Sequence, residues 1–207
     1  LDLGQADGHV LIDGETGTGK TLTAHALHAV GGRAGKKFSL VACSAIEEDV
    51  LIRRLFGPIE SKDCQFPAVE ESRGGTLILE DIETLGPAVQ ARLLSFIDEQ
   101  GVPPETRIIA VCNTSDEAQM AKATLRSDLY YRLTALGITT PPLREREHDI
   151  LALFKNFCSQ FADEYGCAVA TLSDQDAAQL MQAPWPGNVR QLINIAERTV
   201  LQSRRGG

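Results

Sequence analysis

The sequence predicts an α/β domain followed by a small all-helical one, and three observations carry that prediction. Short apolar runs alternate with amphipathic stretches up to about residue 140, the prolines of "TTPPLRERE" (139–147) interrupt the pattern, and everything beyond reads with helical periodicity. In chain order, "HVLID" (9–13) reads as a buried strand and "KTLTAHALHAV" (20–30) as the helix after it. "KFSLVAC" (37–43), "GTLILED" (75–81) and "TRIIAVCN" (106–113) are three more β-rich runs flanked by turn residues. "PAVQARLLSFIDEQG" (87–101) places Val89, Leu93, Leu94 and Ile97 at helical spacing and ends on glycine. Strands alternating with helices imply a parallel sheet covered on both faces. Past the prolines, 148–166, 173–183 and 187–205 read as helices, with Ser173 and Asp176 spaced as an N-terminal cap. The boundary is placed at 1–140 and 141–207.

The 207 residues are 43% hydrophobic, which supplies a core and excludes disorder of the whole chain. A formal net charge of -8 and a pI of about 5.0 argue against a surface that grips nucleic acid, which needs clustered lysine and arginine. Cys43, Cys64, Cys112, Cys158 and Cys167 are scattered and never spaced as CxxC, a usage that fits idle thiols in a reducing cytoplasm. No apolar run approaches the length of a membrane span. The chain begins at Leu1 and runs abruptly into a strand, so it reads as a segment of a longer protein.

"GETGTGKT" (14–21) matches G-x-x-x-x-G-K-[ST] at every fixed position, with a predicted strand before it and a helix after it. Gly14, Gly17 and Gly19 let the backbone turn tightly and aim its N–H groups at phosphate oxygens, and the helix N-terminus adds partial positive charge. Glu15, Thr16 and Thr18 complete the loop, and Leu22 follows it on the helix. Lys20 is placed to reach the β- and γ-phosphates of ATP or ADP, and the Thr21 hydroxyl to ligate Mg²⁺. A second apolar run, "TLILED" (76–81), ends in Glu80 and Asp81, where carboxylates at a strand tip hold Mg²⁺ and a water-activating base. Taken alone, acids there are equally an ordinary strand end at the surface.

These features fall within a larger pattern. "GETGTGK" (14–20), "LFG" (55–57), "GGTLILEDIE" (74–83), "QARLLSFIDE" (90–99), "LRSDLYYRL" (125–133), "PPLRERE" (141–147) and "WPGNVRQL" (185–192) occur in order. Together they resemble the central AAA+ ATPase domain of the sigma-54-dependent transcription activators, the bacterial enhancer-binding proteins. The texture around "VLIDGETGTGK" and "EDIETL" is similar to the C4-dicarboxylate transport response regulators of two-component systems. The resemblance implies a P-loop AAA+ sheet with a helical lid, forming a ring of six or seven subunits with nucleotide between neighbours. It implies that Arg126 and Arg132 reach the neighbour's γ-phosphate, whereas two arginines six residues apart are by themselves surface helix charges. It further implies that Asn113 senses the γ-phosphate and that Arg190 reports nucleotide state from the lid. DNA binding and sensory input are expected in domains outside this segment.

The sequence departs from the family at four places. Between "LFG" and "GGTL" no GAFTGA occurs, so the loop that grips the sigma factor is expected to be missing. "QGVPPET" (100–106) is a short turn where family members carry a longer insertion beside that loop. The acids read Glu80 then Asp81, the reverse of the family's order. Strand alternation then assigns Glu80 to Mg²⁺ and Asp81 to the attacking water, with a side chain one methylene shorter. Ala42 stands where the family places an asparagine beside the catalytic acid, so the coupling of that acid to nucleotide state is expected to be lost. The favoured reading is an ATP-binding regulator with residual Mg-ATPase activity and no sigma-54 engagement through the usual loop. The alternatives are a fully active ring ATPase that remodels sigma-54 RNA polymerase, and an AAA+ protein that has moved to an unrelated partner.

Overall fold

In the computed structural model, residues 5–57, 67–113, 124–169 and 172–205 are described. They divide into two compact units, 1–14 with 20–139 and 15–19 with 140–207. Residues 15–19 of the phosphate loop are thus counted with the second unit.

The first unit is built on five parallel strands in the order β2-β3-β4-β1-β5. They are β1 (Val10–Asp13), β2 (Phe38–Ala42), β3 (Thr76–Glu80), β4 (Arg107–Val111) and β5 (Leu136–Thr139). The helices are α1 (Lys20–Val30), α2 (Glu48–Phe56), the single turn α3 (Ala68–Glu71), α4 (Pro87–Glu99) and α5 (Ser127–Leu133). Period-two alternation sends neighbouring strand residues to opposite sides. Leu11, Val41, Leu77, Leu79, Ile108 and Ala110 pack with Leu51, Leu55, Val89, Leu93 and Leu129 of α2, α4 and α5. Val10, Ile12, Ile78, Ile109 and Val111 pack on the other face with Ala24 and Leu27 of α1. Burial on both faces is why the central strands read as unbroken apolar runs.

The four strands and the α1 and α4 helices expected from the sequence are present. The fifth strand, β5, and the helix α2 were not foreseen. β5 lies at the sheet edge with only alternate residues partly buried, so its run "LGIT" carries little apolar signal. α2 is acidic at its start and basic at its end, and its buried residues are Leu51 and Leu55.

Arg33 is one of the side chains that fasten the short turn at 100–106. Arg33 donates from Nη1 to Gly75 O and Glu105 O, both at 2.8 Å, and from Nη2 to Pro104 O at 2.6 Å, while its Nε meets Asp7 at 2.9 Å. The segment 58–66, where the sequence lacks GAFTGA, lies outside the described residues.

The second unit contains α6 (Glu147–Tyr165), α7 (Asp174–Gln182) and α8 (Asn188–Arg205). Ile150, Phe154, Cys158 and Ala162 make a stripe every four residues along α6, facing Leu192, Ala196 and Val200 of α8 around the buried Trp185. Gly166, at φ 61°, ends α6 in the left-handed conformation that spares glycine the Cβ clash. Ser173 caps α7 as expected: its hydroxyl accepts from Asp176 N at 3.1 Å and donates to the Asp176 carboxylate at 2.6 Å. Among the described residues no helix is long and apolar enough to cross a membrane.

Candidate nucleotide site

The acid end of the site is assembled in the first unit, at the carboxyl ends of adjacent strands, where open α/β sheets bind their ligands. Thr21, in the first turn of α1, donates its hydroxyl to Glu80 Oε1 at the tip of β3. Lys20 is buried and donates from Nζ to Gly14 O at 2.8 Å. The loop glycines Gly14, Gly17 and Gly19 all have positive φ, at 143°, 82° and 101°. Leu22, one residue past Thr21, is 74% exposed.

Asp81 departs from the expected geometry. β3 ends at Glu80, and Asp81 itself is left-handed, at φ 55° and ψ 44°, opening a 3₁₀ turn over Ile82–Thr84. Thr84 anchors that turn with its backbone and hydroxyl on Asp81 O, at 3.0 and 2.7 Å. Strand alternation therefore does not decide where the Asp81 carboxylate points. Long-range partners do: Ser44 Oγ donates to Asp81 Oδ2, and Asn113 Nδ2 donates to Asp81 Oδ1 at 2.6 Å. Ser44 follows β2 and Asn113 follows β4, so the carboxylate is bridged between the two strands that flank its own.

Ala42 pairs in register with Glu80, not Asp81, and a hydroxyl two residues later supplies Asp81 with its contact from the β2 side. Sequence reasoning missed Ser44 because the turn over Cys43–Ala45 that lifts it toward Asp81 has no periodicity. The serine in "ACSA" was the signal available.

Asn113 also donates to Glu83 Oε1 at 2.9 Å, so one amide group ties two acids together. The cluster of Glu80, Asp81 and Glu83 is felt by a buried thiol. Burial first, and then the three carboxylates, push the Cys43 thiol up to about 12. Cys112 is likewise raised to about 12 by burial and by Glu83.

Arg126 and Arg132 lie at the two ends of α5, and both are exposed. Arg126 makes a two-pronged contact with Asp128, at 3.1 and 2.8 Å, and Arg132 meets Asp98 of α4 at 3.0 Å.

The tip of the phosphate loop is organised within the second unit. Asn188 is fully buried at φ 48°, accepts from Leu143 N at 2.7 Å, and donates to Thr16 O at 3.0 Å and Glu15 Oε2 at 3.1 Å. Arg144 grips the Glu15 carboxylate with two bonds, at 2.9 and 2.6 Å. Thr18 and Thr140 share a buried hydroxyl contact at 2.8 Å. Val189 N donates to Gly17 O at 2.9 Å, and a Cβ on Gly17 would stand 2.4 Å from Gly187 O. Arg190 follows on α8 with an exposed side chain. The "WPGN" stretch thus acts as a bracket. Trp185 fixes it to the helical core through Nε1–H to Leu180 O at 2.9 Å, and Asn188 carries the loop tip.

A parallel sheet with a glycine-rich loop after β1, acids after β3 and a helical unit beyond defines a P-loop protein of the AAA+ fold with its lid. Residues 2–139 match the sigma-54 interaction domain and residues 144–206 the AAA+ ATPase lid domain. The chain belongs to the sigma-54 interaction domain family. It is 37% identical over 212 residues to the Nif-specific regulatory protein of Azospirillum brasilense, covering 95% of this chain and 34% of that protein. It is 33% identical over 213 residues to the C4-dicarboxylate transport transcriptional regulatory protein DctD of Rhizobium meliloti, covering 96% and 46%. The crystal structure of NtrX from Brucella abortus in complex with ATP superposes with a TM-score of 0.88 at 30% identity, covering 98% of this chain and 49% of that one. The chain therefore spans less than half the length of each of these proteins.

Proposed function

We propose that this chain is the ATP-binding AAA+ domain of a bacterial transcription regulator, with slow Mg²⁺-dependent hydrolysis and no sigma-54 engagement through the usual loop. The observation that carries the reading is the meeting of Thr21 and Glu80 beside Lys20 and Asp81. A hydroxyl and a carboxylate, both oxygen donors, suit Mg²⁺, which takes few protein ligands and relies on nucleotide phosphates for the rest. In this reading Gly14 to Lys20 hold the phosphates, Thr21 and Glu80 hold the metal, with Asp81 at its edge, and Asp81 orients the attacking water. Asn113 and Arg190 respond to the γ-phosphate. NtrX, solved with ATP and with ADP, supports nucleotide as the ligand.

Two features favour slow turnover. The Asp81 carboxylate is one methylene shorter than the family's glutamate, and a base must come within ~2.6–3.2 Å of its proton, directly or through one water. Both Asp81 oxygens already accept hydrogen bonds, from Ser44 and Asn113. Loss of the sigma-54 contact rests on the sequence between Phe56 and Gly74, which contains no GAFTGA. Assembly into a ring is part of the proposal, with DNA contacted through a domain other than this one.

The second reading, a fully active ring ATPase, is favoured by the exposed pair Arg126 and Arg132, since a guanidinium supplied to a neighbour accelerates phosphoryl transfer by ~10³–10⁵ in related systems. Phosphate release measured over a protein concentration series, beside direct nucleotide binding, decides between them. Binding with slow turnover that is lost in Lys20→Ala and Asp81→Ala is expected. Turnover that climbs steeply with concentration to the rate of a working AAA+ motor would establish the second reading, and absence of nucleotide binding would refute both.

A further inference from the structure

Gln90 is a polar residue on the buried stripe of α4, only 3% exposed among Val89, Leu93 and Ile97. Its side chain makes three hydrogen bonds to main-chain groups of two separate segments. Nε2 donates to Leu85 O at 2.8 Å and to Thr124 O at 3.0 Å, and Oε1 accepts from Arg126 N at 2.8 Å. Leu85 closes the turn that Asp81 opens, and Arg126 is the residue from which α5 starts. One amide group therefore joins the acid-bearing turn to the arginine-bearing segment.

Apolar packing could not do this alone. Leu125 and Leu129 anchor the segment in the core, but such contacts are non-directional and tolerate sliding. A buried amide is different: if Thr124 or Arg126 shifts, the Gln90 carboxamide, itself only 3% exposed, is left without partners where water does not replace them. With the amide held by Leu85 O, residues 124–126 must be placed so that both of their bonds to it close. The Arg126 guanidinium is then fixed further by its own contact with Asp128.

We infer that Gln90 is the positioning residue for Arg126, setting where that guanidinium is presented to a second copy of this chain. The inference rests on the reading of Arg126 as an arginine that acts on a neighbour's nucleotide. Gln90 acts through the backbone of Arg126, whose N–H it accepts.

The test uses Gln90→Met, which keeps side-chain bulk and removes all three bonds. Nucleotide affinity should match the parent, while turnover falls by up to about a hundredfold, the scale on which a displacement of about 1 Å acts. The discriminating measurement is mixing with Lys20→Ala protomers, which cannot turn over but carry an intact Arg126. Activity should reappear in the Gln90→Met mixture, as in a parallel mixture of Arg126→Ala with Lys20→Ala, because the missing group is supplied from the other protomer.

Parental turnover in Gln90→Met overturns the inference. So does a loss that mixing leaves uncorrected while the Arg126→Ala mixture recovers, since Gln90 would then act on its own protomer's acids through Leu85. If neither mixture recovers, or the parent does not hydrolyse ATP, the trans-acting reading of Arg126 fails. Amide exchange then decides positioning directly: faster exchange at Arg126 in Gln90→Met with α5 still protected supports it, and unchanged exchange refutes it. Should Gln90→Met lose nucleotide binding through misfolding, Gln90→Leu, which likewise lacks the acceptor for Arg126 N, enters the same mixing assay with the same outcomes.

Discussion

Replacing Asn188 should separate two physical contributions at one residue. Its side chain accepts from Leu143 N and donates to Thr16 O and Glu15, and its backbone holds φ 48°. Removing it leaves the Leu143 amide, in a fully buried residue, without that acceptor, at about 1–3 kcal/mol. The bond to Thr16, an exposed residue, contributes about 0.5–1.5 kcal/mol because water can replace it. Asn188→Gly should therefore lose about 2–4 kcal/mol. Asn188→Ala should lose about 1–2 kcal/mol more, the strain of a Cβ in the left-handed region. The single tryptophan, Trp185, is 1% exposed and sits three residues away, so its fluorescence reports unfolding of the helical unit. With a urea dependence of about 2 kcal/mol per molar, the glycine variant should unfold about 1–2 M earlier. Equal midpoints for the alanine and glycine variants would refute the backbone argument. A shift in both of less than about 0.5 kcal/mol would refute the hydrogen-bond argument.

Two further predictions concern groups whose titration the fold has moved. Burial first, then Arg33 and Arg107, lowers His9 to about 4 in the folded chain, from about 6.5 when unfolded. The unfolded chain therefore takes up a proton that the folded one refuses. Stability falls as pH drops below about 6.5 and levels off below about 4, a total of about 3 kcal/mol. Urea unfolding from pH 7 to pH 4 should show this loss in the parent and not in His9→Gln; identical slopes would refute it. With both thiols raised to about 12, Cys43 and Cys112 should alkylate at pH 8 on the order of 10³-fold slower than an ordinary thiol, before burial slows them further. Peptide mass mapping after iodoacetamide treatment checks this against the partly exposed Cys167, and labelling of all three at one rate would refute it.

Much of the fold was legible because its signals are local. The loop 14–21 announces itself through glycines at fixed spacing, and the central strands through apolar runs that both faces of the sheet bury. The Ser173 cap was readable for the same reason: its partner is three residues away. β5 escaped because an edge strand buries too little to leave a pattern, and Ser44 escaped because its partner, Asp81, is 37 residues distant. Asp81 itself was misjudged by applying strand alternation one residue past the end of the strand, where the chain turns left-handed.

The sequence by itself determined the P-loop, the four strands β1 to β4 with the helices α1 and α4, and the family, since each rests on residue type at short, fixed separations. Tertiary structure decided how the site is held. It brought Ser44 and Asn113 to Asp81, set Gln90 between Leu85 and Arg126, and joined Asn188 to Thr16 across 172 residues. Hydrogen bonds of that kind form only where the completed sheet and helices deliver a donor and an acceptor within about 3 Å, a coincidence in space that no local pattern records.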